Sequence, residues 1–433
     1  MTGSPTVLLL ATIGITLLLA PALALFFGGR PDARRRRVIA VAIPGSMLLA
    51  TTGWMLLGST LGVAAFQGAL VATAVAVILA VGLRTGSIRG YAVFTAVWIV
   101  LVLVPVGYSL FDVVHGPLAT SLGTLDFGGV SILALCTGTA ALALSLVSRR
   151  LGNAVGGPPR RSRLAFAFSG GVALLGWLAV DIGAELVLDS TTLTLAVNEL
   201  WAALAGLVGW AIAQVINVHR ATLAGLVAGV FAGSIVVLPA SPWLDTPSVV
   251  VLGLVAGILG HVAAVAARRN GIGMWATLVG VCLVPGAIGL VGAGILARGL
   301  GLVFSGHLDL LSAQAGGLVI VVGYSFVVTL LIAVVVDRTV RLVGSSRLVD
   351  ETIVRLYRDL NAHDAEAVAA RLHADAHWQL SADAGAVLTP VRSRRLRGGW
   401  IEVDVREASA DGERELVHAF SERAGLFDRA ELR

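Results

Sequence analysis

The chain has 433 residues, of which 57% are hydrophobic and 13% charged, with a formal net charge of +5 and a mean hydropathy of +0.90. An ordinary soluble domain carries roughly 25% charged residues, and no water-soluble fold of this length could cover so much apolar surface. All 31 basic residues are arginines spread through short loops rather than gathered on one face, which speaks against a nucleic-acid partner. The two cysteines, Cys136 and Cys282, lie inside apolar runs. Neither a disulfide framework nor a zinc cluster is therefore expected, and no other metal or cofactor.

A helix rising about 1.5 Å per residue needs about twenty apolar residues to cross the hydrocarbon core of a bilayer. In chain order, runs of that kind fall at 5–28, 38–61, 63–83, 90–111, 129–148, 164–187, 192–216, 221–240, 246–267, 274–297 and 313–337, so eleven crossings are expected. The first run could pass for a signal peptide, but nothing basic precedes it, while Arg30 and Arg34–Arg37 follow it. That is a stop-transfer pattern, and the run is read as a retained helix.

Loops give an independent check, because cytoplasmic loops attract arginine. The first loop holds Arg30 and Arg34–Arg37, the third Arg84 and Arg89, the fifth Arg149, Arg150, Arg160, Arg161 and Arg163, the seventh Arg220, and the ninth Arg268 and Arg269. Among the even loops only Arg298 stands against this alternation. The amino end is then expected outside the cell. The carboxyl end, marked by Arg338, Arg341 and Arg347, belongs in the cytoplasm, and the chain is a multi-pass protein of the plasma membrane, surrounded by lipid. In the eighth run Ala224, Gly225, Ala228, Gly229, Ala232 and Gly233 recur every four residues, a spacing that lets helices approach closely.

Residues 1–344 form the membrane domain in this reading, and 345–433 a small α+β cytoplasmic tail. In the tail Ile353, Leu356 and Leu360, then Val368 and Leu372, suggest two amphipathic helices broken at Asn361–Asp364. Trp400, Ile401, Val403 and Val405 read as a half-buried strand. Arg392, Arg394, Arg395 and Arg397 form a basic cluster, either a solvated loop or a patch attracted to anionic lipid.

Motifs in the first 345 residues carry a family resemblance. Phe66-Gln67-Gly68-Ala69, Arg84, Tyr91-Ala92-Val93-Phe94, Trp98 and Pro105 resemble the third and fourth helices of the ammonium transporter (Amt/Mep/Rh) family. Leu125-Asp126-Phe127-Gly128-Gly129 resembles its D-F-x-G-G motif, and Gly176-Trp177 with Gly183 is similar to its G-W-F-G-F-N-x-G run. Leu223–Ala228 and Ser241-Pro242-Trp243 resemble its eighth helix and following loop. The resemblance implies an all-α membrane protein with eleven transmembrane helices, built as an inverted five-helix repeat plus one around a narrow pore. It also implies a homotrimer.

In that family an aromatic vestibule with a nearby aspartate, two stacked phenylalanines and two histidines pass the substrate. Asp126 matches the aspartate, and reads either as a vestibule charge or as a plain helix cap. Phe111 falls where a vestibule tryptophan is usual. Leu70 and Ala196 fall at the two gate phenylalanines, and Ala134 and Cys282 at the two histidines. The imidazole relay is therefore absent, which points to a remodelled pore.

Other ionisable residues lie at membrane depth, where an unpaired charge is costly. Asp181 replaces the family's asparagine, Glu185 and Asp189 follow it, Glu199 adjoins the family-matched Asn198, and His261 lies in the ninth run. Each is a candidate for a role with the substrate or for a neutral, hydrogen-bonded contact.

Two functions remain open. The first is a channel or transporter for ammonium or another small polar solute. The second is a non-conducting receptor or structural subunit that signals through its tail, with an undefined cytoplasmic partner. No set of nucleophile, base and orienting residue points to an enzyme.

Overall fold

The computed structural model of the chain describes residues 5–29, 33–84, 86–112, 114–150, 163–185 and 188–342, then Leu356, Tyr357, Leu360 and five strands nearer the carboxyl end. It divides into two compact units, Met1–Val343 and Gly344–Arg433.

Among its described residues the first unit consists of helices joined by turns and loops, with no strand. Its principal helices are α1 (Pro5–Gly28), α2 (Ala33–Leu56), α3 (Leu61–Gly82), α4 (Ile88–Phe111), α5 (Ser131–Ser148), α6 (Arg163–Glu185), α7 (Ser190–Val218), α8 (Leu223–Val237), α9 (Thr246–Arg269), α10 (Gly273–Leu296) and α11 (Asp309–Val340). Among the described residues nine helices are long and apolar enough to cross a membrane; α1, as described from Ile13, and the 15-residue α8 are shorter.

The boundaries depart most from the apolar runs at α2, which lies five residues nearer the amino end than 38–61, and at α11. Helix α2 starts at Ala33, so Arg34–Arg37 form its first turn instead of a loop. Arginine is a good helix former whose long stem can carry its charge clear of the hydrocarbon. Helix α11 extends over 32 residues, beyond the apolar stretch 313–337.

Three π-helical stretches interrupt the α-helices: Ile99–Leu103 in α4, Ser131–Cys136 at the start of α5, and Val279–Leu283 in α10. Proline follows two of them, Pro105 and Pro285. Pro105 has no N–H to give the Leu101 carbonyl one turn back. The Tyr324 hydroxyl on α11 donates to that oxygen instead, at 2.6 Å.

Helix α3 is the axis of the core, with every residue from Phe66 to Gly82 buried. The outward faces stay apolar, as on α7 at Leu200, Trp201, Leu204, Val208 and Ile216, and on α11 at Val319, Val327, Leu331 and Val335. An apolar exterior wrapped around buried polar groups suits a lipid solvent.

Small residues set how closely α7, α8 and α9 pack. A Cβ on Gly206 would fall on the Gly229 carbonyl oxygen and the Gly233 backbone, and one on Gly257 on the Gly206 carbonyl oxygen. The four-residue spacing in the eighth helix thus acts as the sequence suggests. Leucine at Gly206 has no flexible neighbour to displace, so Gly206→Leu should lower stability by roughly 3 kcal/mol or more, read as a lost or lowered thermal midpoint in detergent.

In the second unit the strands are β1 (Leu372–Trp378), β2 (Val387–Arg395), β3 (Trp400–Ser409), β4 (Gly412–Arg423) and β5 (Leu426–Leu432), in the sheet order β1-β5-β4-β3-β2. β1 pairs with β5 in parallel, and the other pairs are antiparallel. Trp400, Ile401, Val403 and Val405 fall in a strand, as their alternation indicates. Leu372 is a correction, because it begins a strand rather than closing a helix. The cause is legible: Leu372, Ala374, Ala376 and Trp378 alternate with His373, Asp375 and His377, a period of two. Arg392, Arg394 and Arg395 likewise lie in β2 and not in a loop, whereas Arg397 lies outside the described residues. Leu356 and Leu360 are helical, while Ile353, Asn361–Asp364 and Val368 lie outside the described residues.

Candidate functional site

The segment from Thr124 to Val130 is strapped in place by backbone hydrogen bonds. Gln314 on α11 donates to the Leu125 carbonyl at 2.8 Å and accepts from the Leu125 N–H at 3.0 Å. The N–H groups of Phe127 and Gly128 donate to the carbonyls of Pro239 and Leu238, at 3.0 and 2.8 Å, just beyond α8. Asp126 is buried, and its two carboxylate oxygens accept from the N–H groups of Val130 and Ser131 at 2.8 and 2.9 Å. It therefore caps the opening of α5. Burial pushes its carboxyl above the ordinary range, and the Ser131 and Val130 donors pull it back.

Gly129 follows with φ +76°, in the left-handed region. A Cβ there would stand 2.8 Å from a Leu70 methyl and 3.2 Å from the Phe111 ring. Leu70, Phe111 and Asp126 thus meet around one turn of chain. Gly129→Val combines the wrong backbone region with this crowding, and should cost about 2–3 kcal/mol in thermal unfolding.

Deeper in the bundle, a cavity of about 10 Å³ opens at mid-length of α3 and α10. Its lining includes Phe27 of α1, Thr73 of α3, Thr137 of α5, Trp177 of α6, Phe231 of α8 and Cys282 of α10. That volume is close to the minimum for one water molecule. Trp177 Nε1 and Thr137 Oγ1 are buried with no hydrogen-bond partner. The Thr73 hydroxyl donates to the Ala69 carbonyl at 3.0 Å, leaving its oxygen able to accept. The residues that carry one free donor, one free hydroxyl and one acceptor oxygen thus line a space sized for a single heavy atom. No carboxylate lines it, so a neutral guest suits it better than an ion.

The residues singled out in the sequence do not gather at one place. Leu70, Phe111 and Asp126 are at the Gly129 turn. Cys282 lines the cavity; Ala134, in the π-helical stretch of α5, is fully buried and packs near Gly286 without lining it. Asp181, Asn198 and Glu199 form a separate buried group: Asn198 donates to the carbonyls of Ser241 and Leu244 at 2.9 and 3.0 Å, and the Ser241 hydroxyl donates to Asp181 at 2.9 Å. Ala196 stands half-buried on α7, outside the cavity lining. His261 packs edge-on against Trp210, with ring centroids 5.4 Å apart.

Residue typing alone missed Thr73, Thr137 and the role of Trp177. The signal available was polarity: Thr137 and Thr139 stand in the middle of a largely apolar run.

The fold is a bundle of membrane-length apolar helices around a small, mainly apolar cavity with two threonines and a tryptophan in its wall. The profile of the Ammonium Transporter Family matches residues 23–354, and the chain belongs to that family. It is 29% identical over 309 residues to the ammonium transporter Amt1 of Archaeoglobus fulgidus, covering 69% of this chain and 75% of that one. Among solved structures it resembles Candida albicans Mep2, with a TM-score of 0.68 at 21% identity, covering 81% of this chain and 87% of that chain. It also resembles a protein described as a sensor Amt protein, with a TM-score of 0.69 at 19% identity over 83% of this chain and 98% of that one.

Proposed function

We propose that the chain conducts ammonia, drawn from ammonium, or a neutral polar solute of the same size, through a pore whose midpoint is the Thr137, Trp177 and Cys282 cavity. The observation that carries this reading is that Trp177 and Thr137, whose Nε1 and Oγ1 are buried without a partner, line a space of about 10 Å³. They supply what a dehydrated small molecule needs in place of imidazoles: the indole N–H donates to a nitrogen lone pair, and hydroxyl oxygens accept N–H bonds. Leu70 and Phe111 around Gly129 form the outer constriction, and Asp126 holds it by fixing the turn.

In this reading α1 to α11 all cross the plasma membrane, eleven in number, as an inverted repeat of five plus one. The amino end is outside, and three copies assemble side by side. Residues 345–433 form a cytoplasmic α+β tail with a regulatory partner.

Purified protein in proteoliposomes should alkalinise the lumen on an inward ammonium gradient faster than protein-free vesicles. Equal rates would remove the reading. The second reading, a non-conducting receptor, is favoured by the small volume and by the bulk of Phe27, Phe231 and Trp177 around it. It predicts ammonium binding without flux.

A further inference from the structure

The buried polar group on α6, α7 and α8 is not explained by the pore. Asp181 on α6 and Glu199 on α7 are both 0% exposed, and they interact electrostatically with each other. Asp181 accepts one hydrogen bond, from Ser241, and its other oxygen has no partner. Both oxygens of Glu199 are also without a hydrogen-bond partner. The Ser234 hydroxyl on α8 lies beside Glu199 and is itself fully buried. The Ser234 hydroxyl is the one group placed to donate to Glu199, so two carboxyls from two helices are withdrawn from solvent with at most one hydroxyl donor each, and one Asp181 oxygen has none. No basic side chain is among the groups that act on Asp181 or Glu199, and neither the His115–Asp112 nor the Arg298–Asp245 ion pair involves them.

Two buried carboxyls without counter-charge are a costly arrangement, which a positive guest relieves. An acidic track leads to them. Asp189, exposed at the start of α7, contacts Glu185; Glu185 accepts from the Thr192 hydroxyl at 2.6 Å and is half-buried one turn beyond Asp181 on the same helix. Four carboxyls therefore run from the surface to the interior without an arginine among them. Among the described residues no cluster has the three or more His, Cys, Asp and Glu side chains that a bound metal usually gathers. A singly charged guest fits two carboxyls and two hydroxyls better than a divalent one does. Asn198, tied to the carbonyls of Ser241 and Leu244, fixes the Ser241 turn in place.

We propose that Asp181, Glu199, Ser234 and Ser241 form a binding site for one monovalent cation, distinct from the Thr137 and Trp177 cavity and reached along Glu185 and Asp189. The site stands apart from the conduction reading, and its test involves no flux.

The full chain in detergent is heated in sodium, potassium, ammonium or choline chloride at one ionic strength and pH. At least one small cation should raise the unfolding midpoint over choline in a saturable way, by about 2 °C at ten times its dissociation constant; the three salts show which cation the site takes. In the variant carrying both Asp181→Asn and Glu199→Gln, the response should vanish while the midpoint in choline stays at or above that of the wild type. Ser234→Ala should weaken the apparent affinity severalfold without abolishing it, and Thr137→Val should respond like the wild type. A wild-type midpoint indifferent to the cation would overturn the site, as would an undiminished response in the double variant.

Discussion

Asp126→Ala should destabilise the bundle by about 3 kcal/mol, the largest loss expected from a single truncation near the pore. The carboxylate accepts two backbone N–H bonds of 2.8 and 2.9 Å in a buried place. A hydrogen bond to a charged group contributes about 1.5–3 kcal/mol, and each buried donor left without an acceptor costs about 1–3 kcal/mol. These ranges describe overlapping effects, so the two donors together give about 3 rather than their sum. Asp126→Asn keeps one acceptor oxygen and should lose about half as much. The measurement is the thermal midpoint and the monodisperse yield in detergent. A midpoint equal to that of the wild type would show that water or another group takes over the Val130 and Ser131 donors.

The second large effect separates function from stability at one position. Thr137→Val keeps the side-chain shape and removes a hydroxyl that has no partner in the protein. Replacing an unpartnered buried hydroxyl by a methyl is neutral or stabilising, so the midpoint should hold or rise. If that hydroxyl serves the passing solute, ammonia flux should fall about tenfold, since one lost hydrogen bond of about 1.4 kcal/mol in the rate-limiting state corresponds to that factor. An unchanged rate would remove Thr137 from the path.

Much of the bundle was legible because hydrocarbon length is a coarse, long-range signal. The helices begin and end within a few residues of the apolar runs, and the exceptions have simple causes. Arg34–Arg37 joined α2 because arginine is helix-compatible and can reach away from hydrocarbon. The cavity was harder to read. Counting eight residues from Asp126 leads to Ala134, but the π-helical stretch Ser131–Cys136 changes the residues presented per turn, and the cavity is lined from α5 by Leu133 and Thr137. No hydropathy pattern marks such a stretch in advance, although Pro105 and Pro285 hint at two of the three. Asp181 and Glu199 were visible as misplaced charges, yet only the fold joins α6 to α7 and α8 around them. In the tail, the period-two pattern of Leu372–Trp378 was present and lost to a helical reading of Val368 and Leu372.

The most direct test follows the luminal pH of proteoliposomes after an ammonium jump, for wild-type protein and for Cys282→Leu, which fills a cavity of about 10 Å³. Wild-type vesicles should alkalinise faster than protein-free ones, and Cys282→Leu vesicles, at equal protein content and with a monodisperse variant, should match the protein-free rate. Wild-type vesicles no faster than protein-free ones, or a filled cavity that conducts as well as the native one, would contradict passage through this site.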